Sequence, residues 1–405
     1  MISEKAQHAL FESLSTYGNP SGIHKEGVEA GLLLDRARTL CAQVLNAHAY
    51  EIYFVGSGTE SCNLAVIGTY LGFTTSYKLQ ATSCPSIPHV IVSAIEHPAV
   101  LEPIQQLERE GKVRVTYLPV YENGIVKVND VREALCEDTI LVSVMYANNE
   151  IGTLQPVKEI GRAIEEWKKG HDRTHTGYPY FHIDACQAGN YCNLDVVRLR
   201  AHLMTVNSSK VYGPKGIALL YKREGISLSP VVLGGGQERG LRSGTEAVPL
   251  AYSFGIALTE AQQFKENESD RLRLLRDFCK DELSKVIVGV TFYGAWDEYD
   301  SRKSKVENQK FVHDELRLPN NINCRVPGIS SEEMIIRLDT KGFAVSHKSA
   351  CSSQVEDGSY VIRALGASDN ESKENIRITL GRSTIKSDIE KLVKSIKEIR
   401  DAYAR

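Results

Sequence analysis

Two kinds of hydrophobic pattern alternate along the N-terminal half of the chain. Short apolar runs, each followed by a turn, predict buried strands at 52–55, 89–93, 113–119, 140–147, 180–184, 203–206 and 216–221. The segments between several of them carry apolar residues at helical spacing; in 26–46 these predict a core face of Val28, Leu32, Leu33, Ala37, Leu40 and Val44. Strands that alternate with helices predict an α/β fold with a doubly wound, mainly parallel sheet covered on both faces.

The pattern changes after Leu250, where a long charged segment predicts a helix over about 258–285. Shorter elements follow, predicted as strands near 286–292, 320–326 and 376–380 and as helices at 331–338 and from Ser387. We therefore expect a large domain over 1–257 and a smaller α+β domain over 258–405. The hydrophilic stretch 300–314 has no periodicity and is expected to be an exposed loop.

Composition and charge argue against several classes of protein. The chain has 405 residues, of which 42% are hydrophobic and 24% charged, and its net charge of −3 argues against a nucleic-acid binder. No apolar stretch is long enough to span a bilayer, and Met1-Ile2-Ser3-Glu4-Lys5 is not typical of a signal peptide, so we expect a cytoplasmic protein. Nine cysteines without CxxC spacing indicate neither a metal site nor a disulfide framework.

A lysine follows one of the predicted strands directly. The run 203–206 leads into Asn207-Ser208-Ser209-Lys210, ahead of a turn with Gly213, Pro214 and Gly216. We expect Lys210 to be held against apolar surroundings, which would lower the pKa of its amine and make it a nucleophile towards an aldehyde. Pyridoxal phosphate is the aldehyde cofactor that uses such a lysine. The alternative is an ordinary solvated lysine.

Other polar residues also follow predicted strands. Gly58-Thr59 opens a helix, where free amides and the helix dipole favour an anion. His97 and Asn149 each follow a strand end, although a structural histidine and a purely geometric Asn turn are the alternatives. Asp184 ends an apolar strand, where a carboxylate either caps a helix or holds a cation such as a protonated pyridine nitrogen. The glycine-rich segment 234–245 is expected to be a functional loop without regular structure.

Several motifs follow one another along the chain: Gly58-Thr59-Glu60-Ser61, Glu96-His97, Asn148-Asn149-Glu150, Asp184-Ala185-Cys186-Gln187, Ser209-Lys210, Arg239 with Arg242-Ser243-Gly244-Thr245, Ser349-Ala350-Cys351, 359–366 and Arg377 within 375–379. Together these motifs resemble those of the cysteine desulfurases of the class V aminotransferase superfamily. The resemblance runs from about Glu4 to the C-terminus. It implies the fold of the type I pyridoxal-phosphate-dependent transferases.

The resemblance implies a cofactor role for several of these residues. Lys210 would bond to pyridoxal 5'-phosphate, Asp184 would pair with the pyridine nitrogen, and His97 would lie against the ring face and help to move protons. Gln187 would contact the phenolic oxygen. Thr59 and Ser209 would contact the phosphate, together with Thr245 of the other subunit. A homodimer is therefore implied.

The resemblance also implies the substrate and the reaction. Asn149, Arg377 and Asn19 would bind the carboxylate of L-cysteine. Cys351 would take the sulfur as a persulfide, leaving L-alanine, and would pass it to an acceptor protein for iron–sulfur clusters or tRNA thiolation. Selenocysteine lyase shares nearly all these residues and is the nearest alternative.

Four features depart from the family's pattern, one of which is the greater length of 75–88 and of the loop around Gly170. The family's first strand, with its Ala-Thr-Thr-type segment, is not found before Met1, Ser209 stands in place of the usual histidine, and Lys348 replaces a glycine. An inactive relative that acts as a scaffold or binding protein is therefore the alternative from another class.

Overall fold

The computed structural model describes residues 1–79, 87–171, 177–296, 316–347 and 358–403. The chain forms two compact units, and each contains one β-sheet. The first unit consists of Met1–Leu118, Lys127–Tyr146 and Pro156–Glu266. The second consists of Pro119–Val126, Ala147–Gln155 and Asn267–Arg405. Among the residues so described, no helix combines the length and apolarity that crossing a membrane requires.

The first unit is built on a seven-stranded sheet. Its strands are β1 (Ile52–Val55), β2 (His89–Ser93), β3 (Arg114–Leu118), β4 (Thr139–Ser143), β5 (Tyr180–Asp184), β6 (Leu203–Asn207) and β7 (Ala218–Lys222). Their order is β1-β7-β6-β5-β4-β2-β3, and the five strands from β6 to β3 pair in parallel. Of the strands in the described part of the chain, β7 alone runs the other way, since it pairs antiparallel with both β6 and β1. The prediction of a mainly parallel sheet is confirmed.

Every residue of β1, β2, β4 and β5 is buried, as expected for strands of a sheet covered on both faces. The helices of this unit are α1 (Glu4–Ser13), α2 (Lys25–Leu45), α3 (Gly58–Leu79), α4 (Pro98–Arg109), α5 (Val128–Ala134), α6 (Val157–Gly170) and α7 (Val196–Leu199). Single 3-10 turns occur at Ala49–Glu51, Ser208–Lys210 and Glu238–Gly240. Each predicted strand of this unit is present, with ends shifted by up to a few residues.

The core face predicted for α2 is wrong in part: Ala37 is buried as predicted, but the other predicted residues are half-buried or exposed. Val28 and Leu32 are 49% and 65% exposed, and the buried residues are Gly27, Ala30, Leu34, Ala37, Arg38, Cys41, Ala42 and Leu45. Small residues face the interior because the chain approaches closely there; a Cβ on Gly27 would lie 2.5 Å from the carbonyl oxygen of Gly22. Large apolar side chains are left on the outside. We call the exposed set Phe11, Leu14, Tyr17, Ile23, Val28 and Leu32 the N-terminal apolar surface.

The second unit contains the smaller sheet. Helix α8 (Val248–Val286) begins earlier than predicted and crosses the division between the units at Glu266. The strands are β8 (Thr291–Phe292), β9 (Asn321–Arg325) and β10 (Asn375–Thr379), paired antiparallel in the order β10-β9-β8. The remaining helices are α9 (Ser331–Asp339), α10 (Tyr360–Ala364), α11 (Asp369–Ser372) and α12 (Lys386–Tyr403). A strand was predicted from 286, but Val286 still belongs to α8.

Candidate active site

The segments that follow three strands of the large sheet meet at one point. A Cβ on Gly58 would lie 3.1 Å from Cys186 Sγ and 3.3 Å from Asn207 Nδ2. Gly58 begins α3 after β1, Cys186 follows β5, and Asn207 ends β6. The carboxyl ends of strands are where open α/β sheets place their ligands, so this crowded point marks the candidate site in the first unit.

Lys210 lies in the 3-10 turn that follows β6. Asn207 Oδ1 accepts hydrogen bonds from Ser209 N at 3.3 Å and from Ser209 Oγ at 3.4 Å. Asn190 Nδ2 donates to the carbonyl oxygen of Lys210 at 2.5 Å. The backbone of Lys210 is therefore fixed, but its side chain is exposed. The expectation that the chain holds this lysine against apolar surroundings is wrong, because the turn carries it beyond the buried strand.

Asp184 ends β5 and is 6% exposed. Its Oδ1 accepts a hydrogen bond from Cys186 N at 2.9 Å, and Cys62 Sγ lies 3.9 Å from its Oδ2. Burial raises the pKa of the Cys62 and Cys186 thiols well above the usual value, and the nearby charge of Asp184 raises both further. Asp184 is thus a buried carboxylate whose thiol neighbours stay protonated, available to hold a cation.

His97 caps the N-terminus of α4. Its Nδ1 accepts a hydrogen bond from Ala99 N at 3.1 Å, which assigns the proton of the neutral ring to Nε2. Burial lowers the pKa of His97, while the charge of Asp184 raises it and that of Lys210 lowers it. Three predicted site residues, Asp184, His97 and Lys210, therefore lie close enough to act on one another electrostatically.

The remaining residues of the predicted cofactor set lie on the same unit. Thr59 is in the first turn of α3 and is exposed, whereas Gln187 and Ser209 are half-buried. Asn63 Nδ2 donates to the carbonyl oxygens of Thr59, at 3.0 Å, and Ala99, at 3.3 Å. This side chain joins the starts of α3 and α4, and so fixes Thr59 relative to the segment that carries His97.

The glycine-rich loop 234–245 packs on its own unit, which sequence reasoning did not foresee. Arg38 forms a buried two-bond ion pair with Glu238, at 2.7 and 2.6 Å, and Glu238 Oε2 accepts from Phe54 N at 3.0 Å. Arg242 Nε donates to Glu60 Oε1 at 2.6 Å. These contacts hold the loop in one conformation although its many glycines make the backbone flexible. Thr245, at the end of the loop, is exposed.

In the second unit the structure brings together two of the predicted carboxylate-binding residues. Arg377 Nη1 donates to the carbonyl oxygen of Asn149 at 3.0 Å. The side-chain oxygen of Asn149 is buried, with no hydrogen-bond partner among the described residues. Asn19 belongs to the first unit, where its Oδ1 accepts from Ser21 N at 3.0 Å and its side chain is exposed. Cys351 and Lys348 lie outside the described residues.

Comparison with known proteins decides the family. The family model described as "Aminotransferase class-V" matches residues 4–392. A protein named "Cysteine desulfurase IscS 1" from Archaeoglobus fulgidus is 35% identical over 393 residues, which are 97% of this chain and 92% of that protein. The chain belongs to the cysteine desulfurase family of class V aminotransferases. Members of this family depend on pyridoxal phosphate.

Other relatives agree with this assignment. "Cysteine desulfurase, mitochondrial" from Candida albicans is 35% identical, over 94% of this chain and 71% of that protein. A solved structure of a NifS-like protein superposes with a TM-score of 0.84 at 28% identity, covering 99% of this chain and 96% of that one. The predicted desulfurase family and type I transferase fold are confirmed, and these names do not favour selenocysteine lyase.

A buried polar network behind Asp184 was not predicted for this desulfurase. Ser143 Oγ lies 2.8 Å from His182 Nδ1, His182 Nε2 lies 3.1 Å from Thr205 Oγ1, and that hydroxyl lies 2.8 Å from Ser61 Oγ. Burial lowers the pKa of His182 to about 4, so its ring is neutral at pH 7. The sequence did contain a signal, because His182 precedes Asp184 by two residues and so shares its face of β5.

Glu96 was noted only as the neighbour of His97. It is fully buried, and its Oε1 accepts from Ser93 Oγ and from Met145 N, both at 2.6 Å. Burial raises the pKa of Glu96 to about 8, although both hydrogen bonds oppose the shift. At pH 7 this desulfurase therefore carries a mainly protonated carboxyl group beside the segment of His97.

Proposed function

We propose that this desulfurase binds pyridoxal 5'-phosphate through Lys210, converts L-cysteine to L-alanine, and holds the released sulfur as a persulfide on Cys351. The observation that carries the proposal is the electrostatic grouping of Lys210, Asp184 and His97 at the carboxyl end of the large sheet. A lysine amine, a buried carboxylate and a neutral imidazole are the groups that this cofactor needs around its aldehyde, its ring nitrogen and its ring face.

The residues of the first unit fit the cofactor. Asp184 would keep the pyridine nitrogen protonated, and His97 would lie against the ring with its proton on Nε2. Thr59, at the start of the 22-residue helix α3, and Ser209 would donate to the phosphate, where free amides also favour an anion. Gln187 would contact the phenolic oxygen. When bound, the cofactor supplies an electron sink for the pair left when the Cα proton of the substrate departs.

The chain's own residues would then handle the substrate. Arg377 would grip the carboxylate through its planar fork, helped by the side chains of Asn149 and Asn19, and so orient the Cα–H bond. Lys210 Nζ would take the Cα proton. Cys351 Sγ, as a thiolate, would form a bond to the substrate sulfur while the carbon–sulfur bond breaks and its electron pair stays with the carbon skeleton. One proton added to Cβ and one returned from Lys210 Nζ to Cα would complete L-alanine.

We further propose a homodimer in which Thr245 reaches the phosphate site of the partner. The exposed position of Thr245 and the N-terminal apolar surface support this arrangement, since monomers rarely leave so many large apolar side chains in water. A sulfur-acceptor protein, either an iron–sulfur scaffold or a tRNA-thiolation protein, would then receive the persulfide.

The proposal extends to domains and location. We propose that 1–257 acts as the cofactor-binding domain and 258–405 as the smaller domain that carries Cys351; the strands of the large sheet all precede 258, and those of the small sheet follow it. A cytoplasmic location is supported by the seven unpaired cysteines among the described residues.

The deciding experiment measures L-alanine released from L-cysteine by the purified protein with added pyridoxal phosphate. We expect turnover with wild type, and loss of it with Cys351→Ser, which should instead keep some activity on L-selenocysteine. Wild type given L-cysteine should gain the mass of one sulfur on the Cys351 peptide. If Cys351→Ser desulfurates L-cysteine at the wild-type rate, the persulfide route is wrong; a colourless protein without turnover would favour the scaffold alternative.

A further inference from the structure

Glu150 is a fully buried carboxylate of the second unit for which the proposed function has no role. It lies in a closed turn: Asn148 Oδ1 accepts from Glu150 N at 2.8 Å and from Ile151 N at 3.0 Å, and Gly152 N donates to the carbonyl oxygen of Asn148 at 3.0 Å. Gly152 has a φ of +74°, which few other residues adopt. The hydrogen bonds of this turn therefore fix the backbone conformation of Glu150.

A buried hydroxyl contacts the side chain of Glu150. Ser359 Oγ donates to Glu150 Oε2 at 2.5 Å, and Ser359 is 1% exposed. Ser359 Oγ also caps α10, because it accepts a hydrogen bond from Ile362 N at 3.2 Å. The backbone of Ser359 is anchored in turn, since Ser359 N donates to the carbonyl oxygen of Ser372 at 3.2 Å. The carboxylate is thus tied to a helix start whose own backbone is anchored.

The charge of Glu150 acts on Arg377. Burial lowers the pKa of the Arg377 guanidinium, and the negative charge of Glu150 raises it. The side chain of Arg377 also donates to the carbonyl oxygen of Asn149, the residue next to Glu150. On its backbone, Arg377 exchanges two hydrogen bonds with Ser346. One turn therefore supplies Arg377 with both a hydrogen-bond acceptor and a counter-charge.

We propose that Glu150 is a positioning residue for the substrate carboxylate, holding the guanidinium of Arg377 by its charge while Ser359 holds Glu150. The inference rests on the proposed role of Arg377 in binding L-cysteine. A partly buried guanidinium that loses its counter-charge keeps the cost of desolvation without the compensation, so its side chain turns towards water. A planar fork that turns away no longer offers two parallel donors to a carboxylate.

The main variant is Glu150→Gln, which keeps the volume and an oxygen that can accept from Ser359 but removes the charge. With cofactor-loaded protein we expect the KM for L-cysteine to rise about tenfold and kcat to change much less, because a ground-state contact is lost. The dissociation constant of L-alanine, followed through the cofactor absorbance, should rise in parallel. Arg377 should react faster with phenylglyoxal, as measured by peptide mass mapping, because its guanidinium is more exposed.

Two serine variants separate the contact to Glu150 from ordinary helix capping. Ser359→Ala removes a helix cap and the hydrogen bond to Glu150; Ser330→Ala removes the matched cap of α9, where Ser330 Oγ accepts from Glu333 N at 3.3 Å. We expect Ser359→Ala to lose more thermal stability, since it also removes a donor from the buried Glu150 carboxylate, and to raise the KM for L-cysteine about threefold; Ser330→Ala should lose less stability and leave the KM unchanged. This pair still decides the question if Glu150→Gln does not fold.

Arg377→Ala separates failure of this inference from failure of the proposed function. If Arg377→Ala raises KM but Glu150→Gln leaves both KM and Arg377 modification at wild-type values, the positioning role is wrong and the proposed function stands. Equal KM values for the two serine variants would likewise overturn it. If Arg377→Ala itself leaves KM unchanged, the carboxylate role of Arg377 fails, and this inference with it.

Discussion

Individual charged residues of the large sheet carry most of the proposed chemistry. Asp184 is held by Cys186 N and is surrounded by groups that stay neutral, namely the thiols of Cys62 and Cys186 and, two residues earlier, the His182 ring. A carboxylate whose contacting side chains are neutral thiols is available to pair with a cationic ring. Its charge, more than its shape, should therefore matter for turnover.

Asp184→Asn tests this. The amide keeps the size of the side chain but cannot hold the pyridine nitrogen protonated. We therefore expect the variant to bind the cofactor but to turn over more slowly, with the activation free energy raised by about 2–4 kcal/mol. Steady-state rates with L-cysteine, alongside the visible absorbance of the cofactor, measure both quantities. Near-normal turnover would show that Asp184 has only a structural role.

Glu96 predicts a pH dependence of stability. Its pKa is raised to about 8 in the folded state from an ordinary value of 4.5, so between these values the folded protein holds a proton that the unfolded chain has lost. Stability from this group therefore falls as pH rises through that window, by about 1.4 kcal/mol per pH unit. Glu96→Gln should remove this slope.

The measurement compares unfolding free energies of wild type and Glu96→Gln in urea at several pH values from 5 to 8. Burial lowers the pKa values of His89 and His182 to about 4, so these two residues make the unfolding free energy rise with pH at the acid end of the range. Wild type and Glu96→Gln share this contribution, which therefore cancels in their difference. A constant difference across the range would mean that Glu96 is ionised throughout.

At the scale of elements, the buried pair between Arg38 on α2 and Glu238 in the loop 234–245 anchors that loop. Glu238 and Arg239 both have positive φ values, of 47° and 56°, a strained conformation that surrounding contacts must maintain. Arg239 meets this need by donating to the carbonyl oxygen of Ile52 at 2.6 Å and by stacking over the Tyr53 ring.

Glu238→Gln should cost about 3 kcal/mol in unfolding free energy, because it leaves Arg38 buried without its counter-charge. Urea unfolding measures the loss, and hydrogen exchange should show faster opening of the loop. The control is Lys25→Ala, which breaks the exposed pair between Lys25 and Glu29 and should cost under about 0.5 kcal/mol. Equal losses would show that the buried pair does not hold the loop.

The sequence predicted the strands well because most strands of the large sheet are short apolar runs with a turn behind them; in β3 only Leu118 is buried. Part of the core face of α2 was missed because the small residues Ala30 and Ala42 pack inward while the larger Val28 and Leu32 do not, and periodicity gives weight to the large residues. No local pattern could reveal the pair of Arg38 and Glu238, which are 200 residues apart. The motifs predicted Asp184, His97 and Lys210 as site residues, but not the exposure of Lys210.

At the scale of the whole molecule, the N-terminal apolar surface predicts association. Leu32→Glu places a charge on that surface, and we expect sedimentation to shift from dimer towards monomer because burying the carboxylate in an interface is costly. Leu274→Glu is the control, since Leu274 is 75% exposed on α8. If both variants sediment as wild type does, this surface is not the dimer interface.

Mixed dimers test whether the sites are shared. When Lys210→Ala and Thr245→Ala chains combine, shared sites give one site with both defects and one with neither. We expect such heterodimers to bind cofactor and turn over better than either parent variant. Heterodimers that are no better than their parents would rule out a contribution of Thr245 across the interface.

The single reversed strand of the large sheet has a consequence for synthesis on the ribosome. Among the described strands, β1 pairs with β7 alone, in a register from Ile52 opposite Tyr221 to Val55 opposite Ala218. The apolar run of β1 therefore cannot pair with β7 until some 170 further residues have been synthesised, which takes about 10–30 s at ordinary elongation rates. Nascent chains arrested before β7 should expose this strand to chaperones, and those arrested well after it should not.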